Sequence, residues 1–268
     1  MHPEAPPNPI EKPGYRLVFN EGFEAPALDR TRWLPFYLPQ WSSRERAAAR
    51  YRLADGTLTL FIGEDQPPWC PEFDGDVRCS SLQTGVFAGP LGSAIGQHRF
   101  NAGARVREEQ ETLALYVPTQ GYFELRAKAR LGANDLAAAW MIGFEDRPER
   151  SGEIAICEIF GRNVGPVTAG LGYGIKPWGD PTLAEGDFYV DRLPFDPADF
   201  HIYAAEWTPG RVDVFFDNRK LRSIAQSPTY PMQILLNVYA LPGERRVPGQ
   251  LPSFKIDYFR GYEPLAGR

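Results

Sequence analysis

In Tyr122-Phe123-Glu124-Leu125-Arg126-Ala127-Lys128-Ala129-Arg130 the residues Phe123, Leu125, Ala127 and Ala129 share one side of an extended chain, and longer or charged residues take most of the other. A period of two is the signature of a half-buried β-strand. Comparable runs fall at residues 15–19, 202–207, 232–239 and 254–262. Residues 53–62 read as a hairpin turning at Asp55-Gly56, and residues 212–216 lead into a second turn at Asp217-Asn218, pairs that accept the positive φ angles a tight hairpin requires. The only helical hint, the alanine-rich stretch 136–140, is too short for a stable helix and lies among strands. The expectation is an all-β fold of two stacked antiparallel sheets, a β-sandwich of jelly-roll type. Residues 1–14, rich in proline, read as an extended arm, and residues 15–268 as one domain with no repeat or linker dividing it. Residues 67–118 read as a long irregular segment, part of which is expected over a cleft.

Charge narrows the partners. A net charge of −5 gives no electrostatic pull toward phosphates, so nucleic acid is not expected as a partner. No stretch reaches the ~20 apolar residues of a membrane span, and a monomer is expected. The start of the chain lacks the basic-then-apolar layout of a signal peptide. Cys70 and Cys79 allow at most one local bridge; otherwise the three cysteines are free thiols. The histidines are scattered and the cysteines lack metal-type spacing.

The chemistry is concentrated in Gly152-Glu153-Ile154-Ala155-Ile156-Cys157-Glu158-Ile159-Phe160-Gly161, an apolar strand carrying two glutamates. On a regular strand Glu153 and Glu158, five apart, point to opposite faces. A one-residue bulge shifts the alternation and brings both to one side, and bulges occur where a side chain must be re-aimed. Two carboxyl groups about 5–5.5 Å apart are what retaining glycoside hydrolysis uses, one as nucleophile and one as acid and then base. From spacing alone a second reading stands, in which both are surface residues of an edge strand.

This segment resembles the E-x-D-x-x-E signature of glycoside hydrolase family 16. Matching context extends over most of the chain: Tyr15 to Phe23, Leu28-Asp29 with Trp33, Gly121 to Lys128, Trp140, Phe200 to Pro209, Val214 to Asn218 and Ile256 to Tyr262, in family order. The resemblance implies the jelly roll of concanavalin A-like lectins and glucanases, with an open cleft. It also implies retaining, endo-acting cleavage of a β-linked polysaccharide, foremost a β-1,3- or β-1,3/1,4-glucan, with galactans and transglycosylation also within the family's range. Glu153 is then the nucleophile and Glu158 the acid/base, and the substrate class points to an extracellular setting. The family's intervening aspartate is replaced here by Ala155. Another polar group standing in for it, an engineered loss, and a carbohydrate-binding protein that has lost turnover are the three explanations. Trp140, Trp178, Trp41 and Trp69, with Phe160 and Tyr173 behind them, are candidate surfaces for stacking the C–H faces of sugars, while Trp33 and Trp207 read as packing. Lys176, in Gly174-Ile175-Lys176-Pro177-Trp178, reads as an exposed loop lysine. No cofactor is required by this chemistry. The family often holds a structural calcium, for which Asp257 is the candidate ligand.

Overall fold

A computed structural model describes residues 3–243 and 251–265. In chain order its strands are β1 (Tyr15–Glu21), β2 (Tyr51–Ala54), β3 (Thr57–Phe61), β4 (Arg78–Gln83), β5 (Gly85–Val86), β6 (Leu113–Ala114), β7 (Gly121–Arg130) and β8 (Asp135–Gly143). They continue as β9 (Glu153–Phe160), β10 (Ala169–Lys176), β11 (Phe188–Leu193), β12 (His201–Thr208), β13 (Arg211–Phe216), β14 (Arg219–Ile224), β15 (Met232–Ala240) and β16 (Ser253–Pro264). An eight-stranded sheet runs β14-β13-β12-β7-β16-β3-β2, with β1 also paired to β16; a six-stranded sheet runs β11-β10-β9-β8-β15-β4. The pairings within both sheets are antiparallel.

The main core lies between these sheets. Phe123, Leu125, Ala127 and Ala129 of β7, with Tyr203, Ala205 and Trp207 of β12, face Ala137, Ala139 and Met141 of β8 and Leu171, Tyr173 and Ile175 of β10. The alternation read in residues 122–130 therefore sets the inward face of β7. Both hairpins form as expected: Asp55 and Gly56 have φ of 53° and 62°, and Asp217 and Asn218 have φ of 45° and 64°. The alanine-rich stretch is the middle of β8. Its small side chains alternate between the core and the opposite face of the sheet.

The outer face of the eight-stranded sheet is covered by the N-terminal arm. Arg126 donates to the Ala5 carbonyl at 2.7 Å and pairs with Glu4, while Asn8 bonds Glu124 and receives Arg260 on its carbonyl. The free face of the six-stranded sheet carries a second apolar cluster. Tyr37, Leu38, Trp41, Trp69, Ala104 and Val106, delivered by loops, pack on Ala138, Trp140, Ile142, Leu235 and Tyr239. The long segment 67–118 thus lies on this face, and one part of it is regular: β4 is an edge strand paired with β15. Its sequence, Arg-Cys-Ser-Ser-Leu-Gln, shows no apolar alternation because both of its faces are buried and its polar groups are bonded internally, as in Ser80 Oγ to the Phe61 carbonyl.

β10 is built to leave space on that same face. Gly170, Gly172 and Gly174 alternate with core residues Leu171, Tyr173 and Ile175. A Cβ on Gly172 would come within 3.2 Å of the Glu158 Cβ, and one on Gly174, which has φ +132°, within 2.1 Å of the Asp187 carbonyl oxygen. Gly174→Ala is expected to cost on the order of 2 kcal/mol, lowering the thermal midpoint by about 4–8 °C; thermal unfolding followed by circular dichroism checks it.

Candidate active site

Local geometry on β9 decides which side chains meet. Against β8, Glu158 pairs with Ala138 and Cys157 with Ala139, whereas Ala155 pairs with Trp140 and Glu153 with Ile142. Ile156 is the extra residue, and the register against β10 slips over the same stretch. Ile154, Ile156, Cys157 and Ile159 consequently all enter the main core, and Glu153, Ala155 and Glu158 share the opposite face. The two consecutive core residues Ile156 and Cys157 are the physical cost of the bulge and also what anchors it.

Glu153 and Glu158 are buried, at 3% and 8% exposure. Both touch one cation. Lys176 at the end of β10 lies directly across from Glu153 in the register and donates to Glu153 Oε1 at 2.9 Å and to Glu158 Oε1. The indole Nε1 of Trp178 donates to Glu153 Oε2 at 2.7 Å, so each oxygen of Glu153 carries a donor. Two oxygens within hydrogen-bonding reach of a single nitrogen lie no more than about 6 Å apart. Burial, the largest influence, pushes the Glu158 carboxyl above its ordinary range; Lys176 pulls against this and the charge of Glu153 adds to it. Burial also works against the charge of Lys176, but the two carboxylates outweigh it and hold the ammonium above its ordinary pKa. Lys176 is therefore a partly buried strand-end cation bonded to two carboxyls rather than an exposed loop lysine. Ala155 leaves only a methyl group beside it.

The predicted aromatic residues divide. Trp178 is half exposed and stands over the site with φ 51°. Phe160 follows Glu158 on the same face, capped by Arg162 at 4.1 Å. Trp140 lies beside Ala155 but is 5% exposed, its Nε1 bonded to Asn237 and its ring against His98, so it floors the site rather than offering a free ring. Tyr173 is a correction: the glycine alternation of β10 turns it into the inter-sheet core, where it is fully buried and bonded to Asp191. Trp41 and Trp69 are corrections too, buried in the loop cluster with their indoles bonded to the Gln97 carbonyl and to Asp74. Trp33 and Trp207 pack in the main core as expected. Cys70, Cys79 and Cys157 are free and buried. The surroundings of Asp257 do not fit a calcium ion: it occupies a bulge of β16 with its carboxylate 2.9 Å from the guanidinium of Arg126, a fixed cation where the ion would sit. Among the described residues no group of three or more His, Cys, Asp or Glu is arranged to hold a metal.

Two residues carry no sequence signal for the site. His98 contacts the rings of Trp140 and Trp178, and its backbone N–H donates to Glu145 Oε1. Burial, aided by the charge of Lys176, lowers the His98 pKa to about 3, and burial raises that of Glu145 to about 8 against the pull of the His98 N–H.

A two-sheet sandwich with paired buried carboxyls and aromatic side chains on one face is the arrangement of a carbohydrate-active protein. Residues 115–259 match the family described as Glycosyl hydrolases family 16, and the chain belongs to that family. The GlcNAcα1-4Gal releasing endo-β-galactosidase from Clostridium perfringens superposes over 99% of this chain and 67% of its own with TM-score 0.87 and 34% identity. A laminarinase from Flavobacterium sp. UMI-01 covers 92% of this chain and 100% of its own with TM-score 0.62 and 21% identity, a likeness of fold. A glucan endo-1,3-beta-glucosidase from Cryptopygus antarcticus is 32% identical over 104 residues, 37% of this chain and 37% of that protein's length.

The Glu145 carboxyl gives a test of the site's electrostatics. A carboxyl whose folded pKa lies above its unfolded value binds its proton more tightly when folded, so its contribution is present at low pH and is lost as pH rises from about 4.5 to about 8. Relative to the wild type, Glu145→Gln is expected to match in thermal midpoint near pH 5 and to become progressively more stable toward pH 8, as followed by melting at both pH values.

Proposed function

We propose that the chain is a retaining, endo-acting glycoside hydrolase in which Glu153 is the nucleophile and Glu158 the acid/base. The observation that carries this reading is the contact of both carboxyls with the single Lys176 ammonium, which bounds their separation near the retaining value of about 5–5.5 Å and below the ~6.5–9.5 Å of inverting sites. In the first step a Glu153 oxygen bonds to the anomeric carbon as the glycosidic C–O bond breaks, and Glu158 gives its proton to the departing oxygen. In the second, Glu158 takes a proton from water, which attacks the same carbon and releases Glu153.

The two groups need opposite protonation states, and one cation serves both ends. The ammonium balances one carboxylate, and the buried Glu158, beside that carboxylate, is the group that keeps a proton. Lys176 and Trp178 hold Glu153 by its two oxygens while leaving each a lone pair for attack. These donors take over the positioning that the family's aspartate supplies where this chain has Ala155.

The substrate we propose is a β-galactoside-containing glycan, on the strength of the 34% identity across 99% of the chain to the Clostridium perfringens enzyme. A β-1,3-glucan is the second reading, favoured by the 104-residue match to the Cryptopygus antarcticus protein.

Incubation with a glycan ending in GlcNAcα1-4Galβ, with laminarin and with lichenan, scored by new reducing ends, is expected to give product from the galactoside. Glu153→Gln is expected to lower the rate at least about a thousandfold, roughly 4 kcal/mol. Binding without product above that variant would replace the hydrolase with a carbohydrate-binding protein, and products longer than the substrate would replace it with a transglycosylase. Lys176→Met is expected to lower kcat by tenfold or more, about 1.4 kcal/mol, and to move the alkaline limb of the pH–rate profile upward, because Lys176 holds the Glu158 pKa down. Ala155→Asp is expected to leave kcat within a few fold; a large gain would show that Lys176 does not fill the aspartate's role.

A further inference from the structure

The two donors on Glu153 are fixed in different ways. Lys176 is placed by sheet pairing, directly across from Glu153 in the β9–β10 register. Trp178 lies beyond the end of β10, where that ladder has stopped. It is the second residue of a four-residue turn closed by the Asp180 N–H on the Pro177 carbonyl at 2.9 Å, and it holds φ 51°. A side chain with a Cβ keeps that left-handed conformation only where its surroundings impose it. The His98 ring meets the Trp178 ring edge-on at 4.7 Å, and Ser151 Oγ receives the Gly179 N–H at 3.0 Å. Neither contact involves Asp180, the residue that closes the turn.

Tyr230 reaches it from the core. This residue stands two positions before β15, is 6% exposed and packs among the inter-sheet side chains. Its hydroxyl donates to Asp180 Oδ2 at 2.5 Å and accepts the Gly152 N–H at 2.7 Å. Thr182 fills the other oxygen of Asp180 with its N–H and its hydroxyl, both at 2.7 Å. The buried Asp180 carboxylate is thus met by neutral donors, and loss of one leaves an acceptor unsatisfied away from water. Gly152 directly precedes Glu153, so one phenol ties the turn that carries Trp178 to the strand that carries Glu153. Packing leaves that phenol little freedom: a Cβ on Gly152 would lie 2.6 Å from its oxygen, and one on Gly143 would lie 2.9 Å from its ring. The segment before it is pinned as well, with the Trp207 indole donating to the Pro228 carbonyl at 3.0 Å. Burial and the bond to Asp180 push the Tyr230 phenol well above its ordinary range, so it remains a donor at neutral pH. We propose that Tyr230 is a positioning residue for the reaction, holding the 177–180 turn against the start of β9 and so keeping the Trp178 indole on Glu153 Oε2. Its effect runs through Trp178 and not through Lys176, whose place the strand pairing sets.

This role rests on Glu153 as the nucleophile, and one arm of its test needs no turnover. Tyr230→Phe removes the hydroxyl alone. Assayed well below its melting temperature on the glycan that the wild type cleaves, it is expected to lose about tenfold in kcat. In a Trp178→Phe background the same change is expected to lower kcat by no more than about twofold, because the link it breaks no longer ends on Glu153. The indole N–H resonance of Trp178, assigned by its absence in Trp178→Phe, is expected to move upfield in Tyr230→Phe, toward its position in Glu153→Ala. Asp180→Ala cuts the same link from the turn side and is expected to reproduce all three results, so the test stands even if Tyr230→Phe does not fold. A wild-type kcat, losses that multiply in the double variant, or an unmoved Trp178 resonance would overturn the proposal. A lowered melting temperature without those changes would also overturn it, leaving Tyr230 a packing residue. If no glycan yields product, it is the hydrolase reading that fails, and the resonance alone decides whether Tyr230 holds Trp178.

Discussion

Two carboxyl groups buried on one sheet face are held together by a single ammonium, and most of the local structure exists to make that contact. An unpaired buried charge costs several kcal/mol, and a pair repays this only when its remaining lone pairs and protons are also satisfied. Lys176 bonds both glutamates and Trp178 bonds the second oxygen of Glu153, so the charges are matched at close range. Pairing β10 with β9 brings Lys176 opposite Glu153, the extra residue Ile156 turns Glu158 to the same side, and glycines along β10 leave the room. Each device is local, and together they bring Glu153, Glu158 and Lys176 into contact.

The rest of the fold makes this arrangement rigid. Behind β9, Ile154, Ile156, Cys157 and Ile159 are locked into the inter-sheet core, so the bulge has no free side to relax into. In front, the loop cluster around Tyr37, Trp41 and Trp69 occupies the part of the sheet beyond Trp140 and Ile142. That cluster turns an open sheet face into a bounded site, and the strained residues His98, Glu145 and Trp178 stand on its border. Stability and recognition are therefore coupled here: the loops that bury apolar surface also shape where a glycan lies.

Much of this was legible from residue order alone, and the failures have physical reasons. The inward face of β7, both hairpins and the bulged strand with its glutamates follow from periodicity and turn chemistry, which are local. Tyr173 was misplaced because the parity of β10 is set by its glycines; the Gly170, Gly172, Gly174 spacing held that information. Trp41 and Trp69 resemble exposed cleft residues until tertiary packing covers them. Lys176 has the composition of a solvated strand end, and only the pairing of two strands gives it two partners. β4 escaped notice because a strand buried on both faces, with serine and glutamine side chains bonded internally, has no apolar rhythm. His98 and Glu145, 47 residues apart, meet through loops whose course no local pattern specifies.

The direct test of the account is chemical trapping. An activated 2-deoxy-2-fluoro-β-galactoside forms the glycosyl–enzyme ester and slows its hydrolysis, and peptide mass spectrometry then locates the sugar. The account predicts one fluoroglycosyl group on Glu153. A label on Glu158, or turnover of the natural glycan with inverted anomeric configuration and no label at all, would contradict it.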